Sequence, residues 1–225
     1  MPVGLFWVIS AFYLLAALAT LRQLVRGWRG LLDARWTAAD RELAQRVGML
    51  LLVPPAVWLH EWGHATVMRL YGATDPAIHF FFYWGYVTSS MPFTPLQSFV
   101  VALAGPLVTY MLGWAMLAVA LLLPLRPATA LALATCGMLQ LVLVLVLYPA
   151  MSLLGGWGDF TMIYRAGVPL ASLVVGIVHA ASLAAFAWLM GREWMRGFWG
   201  YPCPRPWRVR WIMTIPAAAP PLDGQ

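Results

Sequence analysis

The sequence predicts an all-α polytopic membrane protein with about five transmembrane helices and a short membrane-associated strand or hairpin segment. Of its 225 residues, 62% are hydrophobic and only 10% are charged, and the mean hydropathy is +0.77. A soluble domain carries about 25% charged residues, so a chain this apolar cannot keep its surface in water. We therefore expect the lipid bilayer to be its solvent.

Apolar runs define the elements in order. They place the five spans at Val3–Leu21, Val47–Leu70, Leu96–Leu123, Ala128–Tyr148 and Val168–Met190. Pro54 and Pro55 predict a kink in the second span. Residues Gly72–Thr94 are aromatic and β-branched and are broken by Gly and Pro, which predicts a strand or hairpin. The chain then divides into 1–46, a transmembrane helix with an Arg-rich interfacial segment, 47–190, the transmembrane core, and 191–225, a Pro/Arg-rich tail.

Charge clusters at the ends of these spans. All 14 basic residues are arginine, and most lie between residues 22 and 46 or in the tail. This pattern is typical of positive-inside flanks that contact anionic lipid heads, and it argues against nucleic acid as a partner. We expect an integral, multi-pass protein of a prokaryotic cell membrane. Span parity puts the end of the second span and the 149–167 loop on the same side of the membrane. The absolute orientation and the oligomeric state stay open.

The stretch His60-Glu61-Trp62-Gly63-His64 has the HExxH pattern of zinc hydrolases. On a helix, His60 and His64 lie one turn apart on one face, where both imidazoles can reach one ion at about 2.0–2.1 Å. Glu61 projects beside that ion, where it can take a proton from metal-bound water. Zinc is the expected metal because imidazole with carboxylate suits it.

A catalytic zinc site needs a third protein ligand and an open position. Asp159, in the Gly-rich sequence GGWGDF, is the expected third ligand, because span parity places it on the side where the HExxH helix ends. The glycines before it let the backbone turn sharply towards a metal. Asp159 also stands where a helix into the fifth span can begin, so a capping role is compatible with ligation.

Three features together resemble the site-two protease family of intramembrane zinc metalloproteases. They are HEWGH in an apolar span, Ala104-Gly105-Pro106 in the next span, and Asp159 after a Gly-rich break, 95 residues beyond His64. The resemblance covers about residues 47–165 and is to the compact members without a PDZ domain.

That resemblance implies a metalloprotease-like core over residues 47–190. His60, His64 and Asp159 would bind one zinc ion per chain, and Glu61 would be the general base of peptide hydrolysis. The substrate would be a transmembrane or membrane-anchored protein, whose unwound segment is aligned by the 72–94 hairpin through strand addition.

The family element around the aspartate, Asn-x-x-Pro followed by Leu-Asp-Gly, is incomplete in this chain. The chain contains no asparagine, and GGWGDF lacks both the Pro and the following Gly. The tail sequence PPLDGQ resembles that element, which makes Asp223 a rival third ligand, although its spacing from His64 is long for a compact member.

Two other functions stay open. A zinc-binding membrane scaffold or regulator of the same fold, without proteolysis, is consistent with the missing asparagine. A transporter or structural membrane protein with a chance HExxH would bind no stoichiometric metal. The roles of His79 and His179 are open between structure and site. Cys136 and Cys203 form neither a zinc ligand set nor a disulfide framework.

Overall fold

The structure is a computed structural model that describes residues 3–32, 36–165 and 167–192. It is mainly helical and contains one small two-stranded sheet. Within the described ranges, four helical stretches are long and apolar enough to cross a membrane: Trp7–Leu31, Pro95–Leu122, Pro127–Gly155 and Pro169–Met190. The predicted helical class and strand segment are confirmed. Asp223 and Cys203, with the rest of the predicted tail from residue 193 onward, lie outside the described residues.

The N-terminal region is more continuously helical than predicted. Helix α1 (Val3–Leu32) runs well beyond Leu21, because the arginines that follow are good helix formers and no proline interrupts them. Helix α2 (Ala38–Arg46) begins at a capping box, in which the side chains of Thr37 and Asp40 each accept a hydrogen bond from the other's backbone N–H. The described part of the predicted interfacial segment is therefore helical except at residues 36 and 37, which precede α2.

The second predicted span, Val47–Leu70, is broken into two pieces. A π-helical turn (Val47–Leu51) precedes helix α3 (Val53–Leu70), which carries the HExxH motif. The predicted kink is a break between these pieces, with Pro54 and Pro55 in the first turn of α3, where a missing N–H costs little. Because the motif lowers its hydropathy, α3 is not among the four stretches above, and a fifth span stays a prediction.

The segment after α3 forms the predicted hairpin. Strand β1 (Ala77–Phe80) pairs antiparallel with β2 (Gly85–Thr88), so that the first residue of β1 faces the last residue of β2. Phe82, in the connection, has φ 65°. Outside the spans, Asp75 ties the two ends of the hairpin together. Its carboxylate accepts hydrogen bonds from the backbone of Ser90 (2.9 Å) and the hydroxyl of Ser89 (2.7 Å).

The tip of the hairpin is held by the N-terminal half of the chain. The Ser10 hydroxyl donates to the carbonyl of Phe81 at 2.8 Å. Tyr13 stacks on Tyr83 with ring centroids 4.1 Å apart, and the Tyr83 hydroxyl donates to the carbonyl of Leu50 at 2.7 Å. These contacts hold the tip of the hairpin against α1 and the π-helical turn Val47–Leu51.

Helix α4 (Pro95–Leu122) packs against α3 and against helix α5 (Pro127–Val142). The approach to α5 is close, since a Cβ added to Gly137 would lie 2.8 Å from the carbonyl oxygen of Gly113. The fourth predicted span continues past Tyr148, because a π-helical turn (Leu143–Leu147) leads directly into helix α6 (Tyr148–Gly155).

The predicted Gly-rich break follows α6. Gly156 and Gly158 have positive φ values of 68° and 90°, which turn the chain into the short helix α7 (Asp159–Arg165). Helix α8 (Pro169–Met190) comes next. The chain divides into two compact units between Ala180 and Ala181, within α8, and the HExxH motif and Asp159 belong to the first.

Candidate metal centre

His60 and His64 lie on one face of α3, as the spacing of four residues predicts. Their Nε2 atoms are 3.1 Å apart, and the ring planes are inclined at 79°. His64 is buried, with 5% of its surface exposed. The two nitrogens therefore face one small space between α3 and α4.

Asp159 reaches the same space from the start of α7. Its Oδ2 atom lies 3.2 Å from His60 Nε2 and 3.3 Å from His64 Nε2. Asp159 is also the first residue of the short helix α7, which ends before the helix of the fifth predicted span begins, and its capping role stays a prediction. The structure thus brings all three predicted ligands together, and their role in binding a metal stays a prediction.

Each imidazole is oriented by a partner on α4. The Nδ1 atom of His60 is 2.8 Å from Thr109 Oγ1, and the Nδ1 atom of His64 is 2.6 Å from the carbonyl oxygen of Val101. A carbonyl only accepts, so the Nδ1–H of His64 is the donor, and in the neutral ring Nε2 carries the free lone pair. Such partners fix the tautomer of a metal-binding histidine.

The three atoms have the size and chemistry of a zinc site. His60 Nε2, His64 Nε2 and Asp159 Oδ2 form a triangle with sides of 3.1–3.3 Å. Tetrahedral zinc with bonds of about 2.0–2.1 Å separates its ligand atoms by about 3.3 Å. Independently, the ligand atoms of His60, Glu61 and His64 lie within 4.8 Å of one another, close enough to bind a metal ion.

Glu61 is buried between α3 and the hairpin, with 4% of its surface exposed. A Cβ added to Gly85 of β2 would lie 2.7 Å from Cγ and 3.0 Å from Cδ of Glu61. Only glycine lets the strand approach the carboxylate this closely, so β2 limits where Glu61 can point. The ligand atoms of His60, Glu61 and His64 lie within 4.8 Å of one another, and the predicted action of Glu61 beside a metal ion stays a prediction.

Gly105 of α4 makes room for the centre. A Cβ added there would lie 2.2 Å from His64 Nε2 and 2.6 Å from His60 Nε2. Real contacts of this kind do not occur at such distances, so any side chain at residue 105 would fill the space between the two imidazoles. The sequence places this glycine in Ala104-Gly105-Pro106, one of the features of the family resemblance, without indicating which side chains it faces.

The centre opens into a cavity of about 570 Å³, within the range typical of ligand sites. Its walls include Glu61, the whole of β2 except its last residue, and Tyr148. The side chains of His60 and Asp159 are 13% and 18% exposed, so the site is in contact with solvent-accessible space. The cavity therefore joins the hairpin to the three converging ligands.

The other two histidines make contacts elsewhere. His79 Nε2 is 3.0 Å from Thr88 Oγ1, across the hairpin. His179 Nε2 is 2.8 Å from the carbonyl oxygen of Leu145, and its Nδ1 is 2.5 Å from the hydroxyl of Tyr164. Because that carbonyl must accept, Nε2 donates and Nδ1 accepts. Both histidines thus hold secondary structure together and do not line the cavity.

Sequence reasoning missed two contributors to this centre, Thr109 and Tyr148, and did not show that Gly105 faces the two imidazoles. Thr109 and Tyr148 lie in apolar spans, and their polar atoms were the available signal. The tyrosine hydroxyl donates to Asp159 Oδ2 at 3.1 Å and accepts from the Asp159 N–H at 3.2 Å.

Comparison with protein-family models, with curated proteins and with solved structures found no match for this chain. The resemblance to the site-two protease family therefore stays a prediction from its motifs.

Proposed function

We propose that the chain is an intramembrane zinc metalloendopeptidase that hydrolyses peptide bonds of transmembrane or membrane-anchored protein substrates. The observation that carries this proposal is the convergence of His60, His64 and Asp159, with Glu61 beside them, at the wall of a cavity that also contains a sheet edge. One zinc ion per chain is the proposed cofactor, and His60, His64 and Asp159 are the proposed ligands.

The chain's own residues have distinct tasks in this reaction. When bound, a zinc ion supplies a Lewis acid that polarises a peptide carbonyl and makes water more acidic. Glu61 accepts the proton of the attacking water and then delivers it to the departing amine nitrogen as the C–N bond breaks. Thr109 and the carbonyl of Val101 keep the imidazoles oriented, so that the ligands need no rearrangement during the reaction.

The hairpin offers a means of holding the substrate. The sheet has two strands, and β2 pairs only with β1 among the described residues, so its other edge is free to accept a peptide strand. Residues Gly85–Val87 of β2 line the cavity that contains the ligands. An unwound peptide added to β2 would therefore pass the carboxylate of Glu61. An intact transmembrane helix has no free peptide groups to pair in this way.

The first test is the zinc content of detergent-purified protein, measured for wild type and for Asp159→Ala, Asp223→Ala, Glu61→Gln and Glu42→Gln. We expect one zinc per chain in wild type, loss or weakening with Asp159→Ala, and full retention in the other three variants. Glu42, an exposed residue of α2 that pairs with Arg46, is the matched control for Glu61.

The second test is cleavage of an unstructured protein, β-casein, in the same detergent. Wild type and Glu42→Gln should cleave it, and Glu61→Gln should retain zinc without cleaving. Zinc without cleavage in wild type would favour the non-proteolytic scaffold or regulator. If only Asp223→Ala loses zinc, Asp223 and not Asp159 is the third ligand. If no protein binds zinc, the HExxH sequence occurs by chance and the proposed function is wrong.

A further inference from the structure

Tyr148 makes a reciprocal contact with the proposed third ligand. Its hydroxyl donates to Asp159 Oδ2 at 3.1 Å, and it accepts from the backbone N–H of the same residue at 3.2 Å. That oxygen is the one that faces His60 and His64 at 3.2 and 3.3 Å. The N–H belongs to the first residue of α7, where it has no partner within the helix. One hydroxyl thus fixes both the backbone and the carboxylate of Asp159.

The backbone before Asp159 and the ring of Phe160 bring Tyr148 and Asp159 together. Gly158, directly before Asp159, has φ 90°, and a Cβ there would lie 3.1 Å from the Tyr148 hydroxyl and 2.8 Å from Ser152 Oγ. The Tyr148 ring also packs edge to face against Phe160, with centroids 5.5 Å apart. The ring is therefore held from one side by α7 while its hydroxyl reaches the carboxylate.

Each of the three proposed ligands has a hydrogen-bonding partner that orients its side chain. Thr109 contacts the imidazole of His60, and the Val101 carbonyl contacts that of His64. Asp159 begins a seven-residue helix after a Gly-rich turn, and the hydroxyl of Tyr148 is the corresponding partner of its carboxylate. A carboxylate can rotate about two side-chain bonds, and an external donor limits that rotation.

We propose that Tyr148 is the positioning residue of the metal centre: its hydroxyl aims Oδ2 of Asp159 at the two imidazoles and thereby sets the affinity for the ion. This inference rests on the metal ligation in the proposed function. Partners of this kind are typically worth about 10–100-fold in metal affinity.

The test compares Tyr148→Phe with Tyr164→Phe. Both changes remove a single hydroxyl, and the hydroxyl of Tyr164 contacts His179 instead of the centre. Affinity is measured by titrating metal-free protein with Zn²⁺ against a chelator, and geometry by the visible absorption of bound Co²⁺. Tyr148→Phe should lower the affinity about 10–100-fold and shift the Co²⁺ bands. Tyr164→Phe should leave both within twofold of wild type. Thermal unfolding of the metal-free proteins checks that each variant folds.

The outcomes separate this inference from the proposed function. If wild type binds zinc and Tyr148→Phe binds it within twofold, with unchanged Co²⁺ bands, the positioning role is wrong while the metal site stands. Equal losses in both variants would also overturn it, because tethering of α7 would then be the cause. If wild type binds neither Zn²⁺ nor Co²⁺, the proposed metal site is wrong, and the positioning role is wrong with it. If Tyr148→Phe does not fold, Tyr148→Gln, which keeps a hydrogen-bond donor without adding an imidazole, should bind more tightly than Tyr148→Leu, and equal binding would refute the role.

Discussion

Replacing Gly105 by alanine should strongly weaken metal binding without changing any ligand. The added methyl carbon would lie 2.2 Å from His64 Nε2 and 2.6 Å from His60 Nε2, inside the space that both imidazoles face. Carbon and nitrogen atoms in contact sit about 3.5 Å apart, so the rings would have to retreat by roughly 1 Å. Both are held by hydrogen bonds to α4, the helix that carries the new methyl group, and α4 cannot move away alone.

The expected loss of zinc affinity is at least about 100-fold, the upper end of what loss of ligand orientation costs. Alanine favours a helix over glycine by about 1 kcal/mol, so α4 itself is not weakened. Gly176→Ala in α8 is the matched control, because a Cβ there meets nothing within 4 Å. That variant should bind zinc as wild type does.

The assay is chelator-competition titration of metal-free protein in detergent, with thermal unfolding as the check on folding. A Gly105→Ala variant that binds one zinc with wild-type affinity would refute the reasoning. It would mean that the two Nε2 atoms do not bind the same ion.

Three further outcomes are expected. Thr109→Val removes the partner of the His60 imidazole and should weaken zinc binding about 10-fold. Thr135→Val, at a buried hydroxyl without a hydrogen-bond partner, is the control and should leave zinc affinity unchanged. Equal zinc affinities in the two variants would contradict this prediction. Gly158→Ala should weaken zinc binding more than Gly156→Ala. Both glycines have positive φ, but only a Cβ at residue 158 would meet neighbouring atoms. The rate of limited proteolysis between α6 and α7, compared for the two variants, measures the local loosening. Hydrogen bonds from Ser90 and Ser89 lower the pKa of Asp75 from 3.8 to about 2, so its contribution to hairpin stability is complete above about pH 4 and is lost as pH falls towards 2. The protection factors of the hairpin amides, which correct the exchange rates for their intrinsic pH dependence, should fall over that window in wild type, and Asp75→Asn should lack this pH dependence.

The convergence of the proposed ligands could be predicted because simple periodicities determine it. The helical repeat puts His60 and His64 on one face, and the alternation of spans places Asp159 at the same end of the bundle. The hairpin could be predicted from its aromatic and β-branched residues. None of these inferences requires knowing how each helix is rotated about its own axis.

The supporting residues depend on that rotation and could not be predicted. Thr109 and Tyr148 lie in apolar runs, and a sequence does not say which neighbour a hydroxyl will meet. Gly105 follows the same rule: a small residue indicates a close approach, but the group that approaches is an imidazole pair instead of a helix backbone. The length of α1 could not be predicted for another reason: the arginines end the apolar run, but the helical backbone continues through them.

Gly85 places the backbone of β2 directly against the side chain of Glu61. A peptide that pairs with the free edge of β2 would load the same strand that limits the position of the carboxylate. A sideways displacement of β2 would therefore also move the carboxylate of Glu61, the proposed proton acceptor. In the proposed reaction, the backbone of β2 thus links the occupancy of the sheet edge mechanically to the position of Glu61.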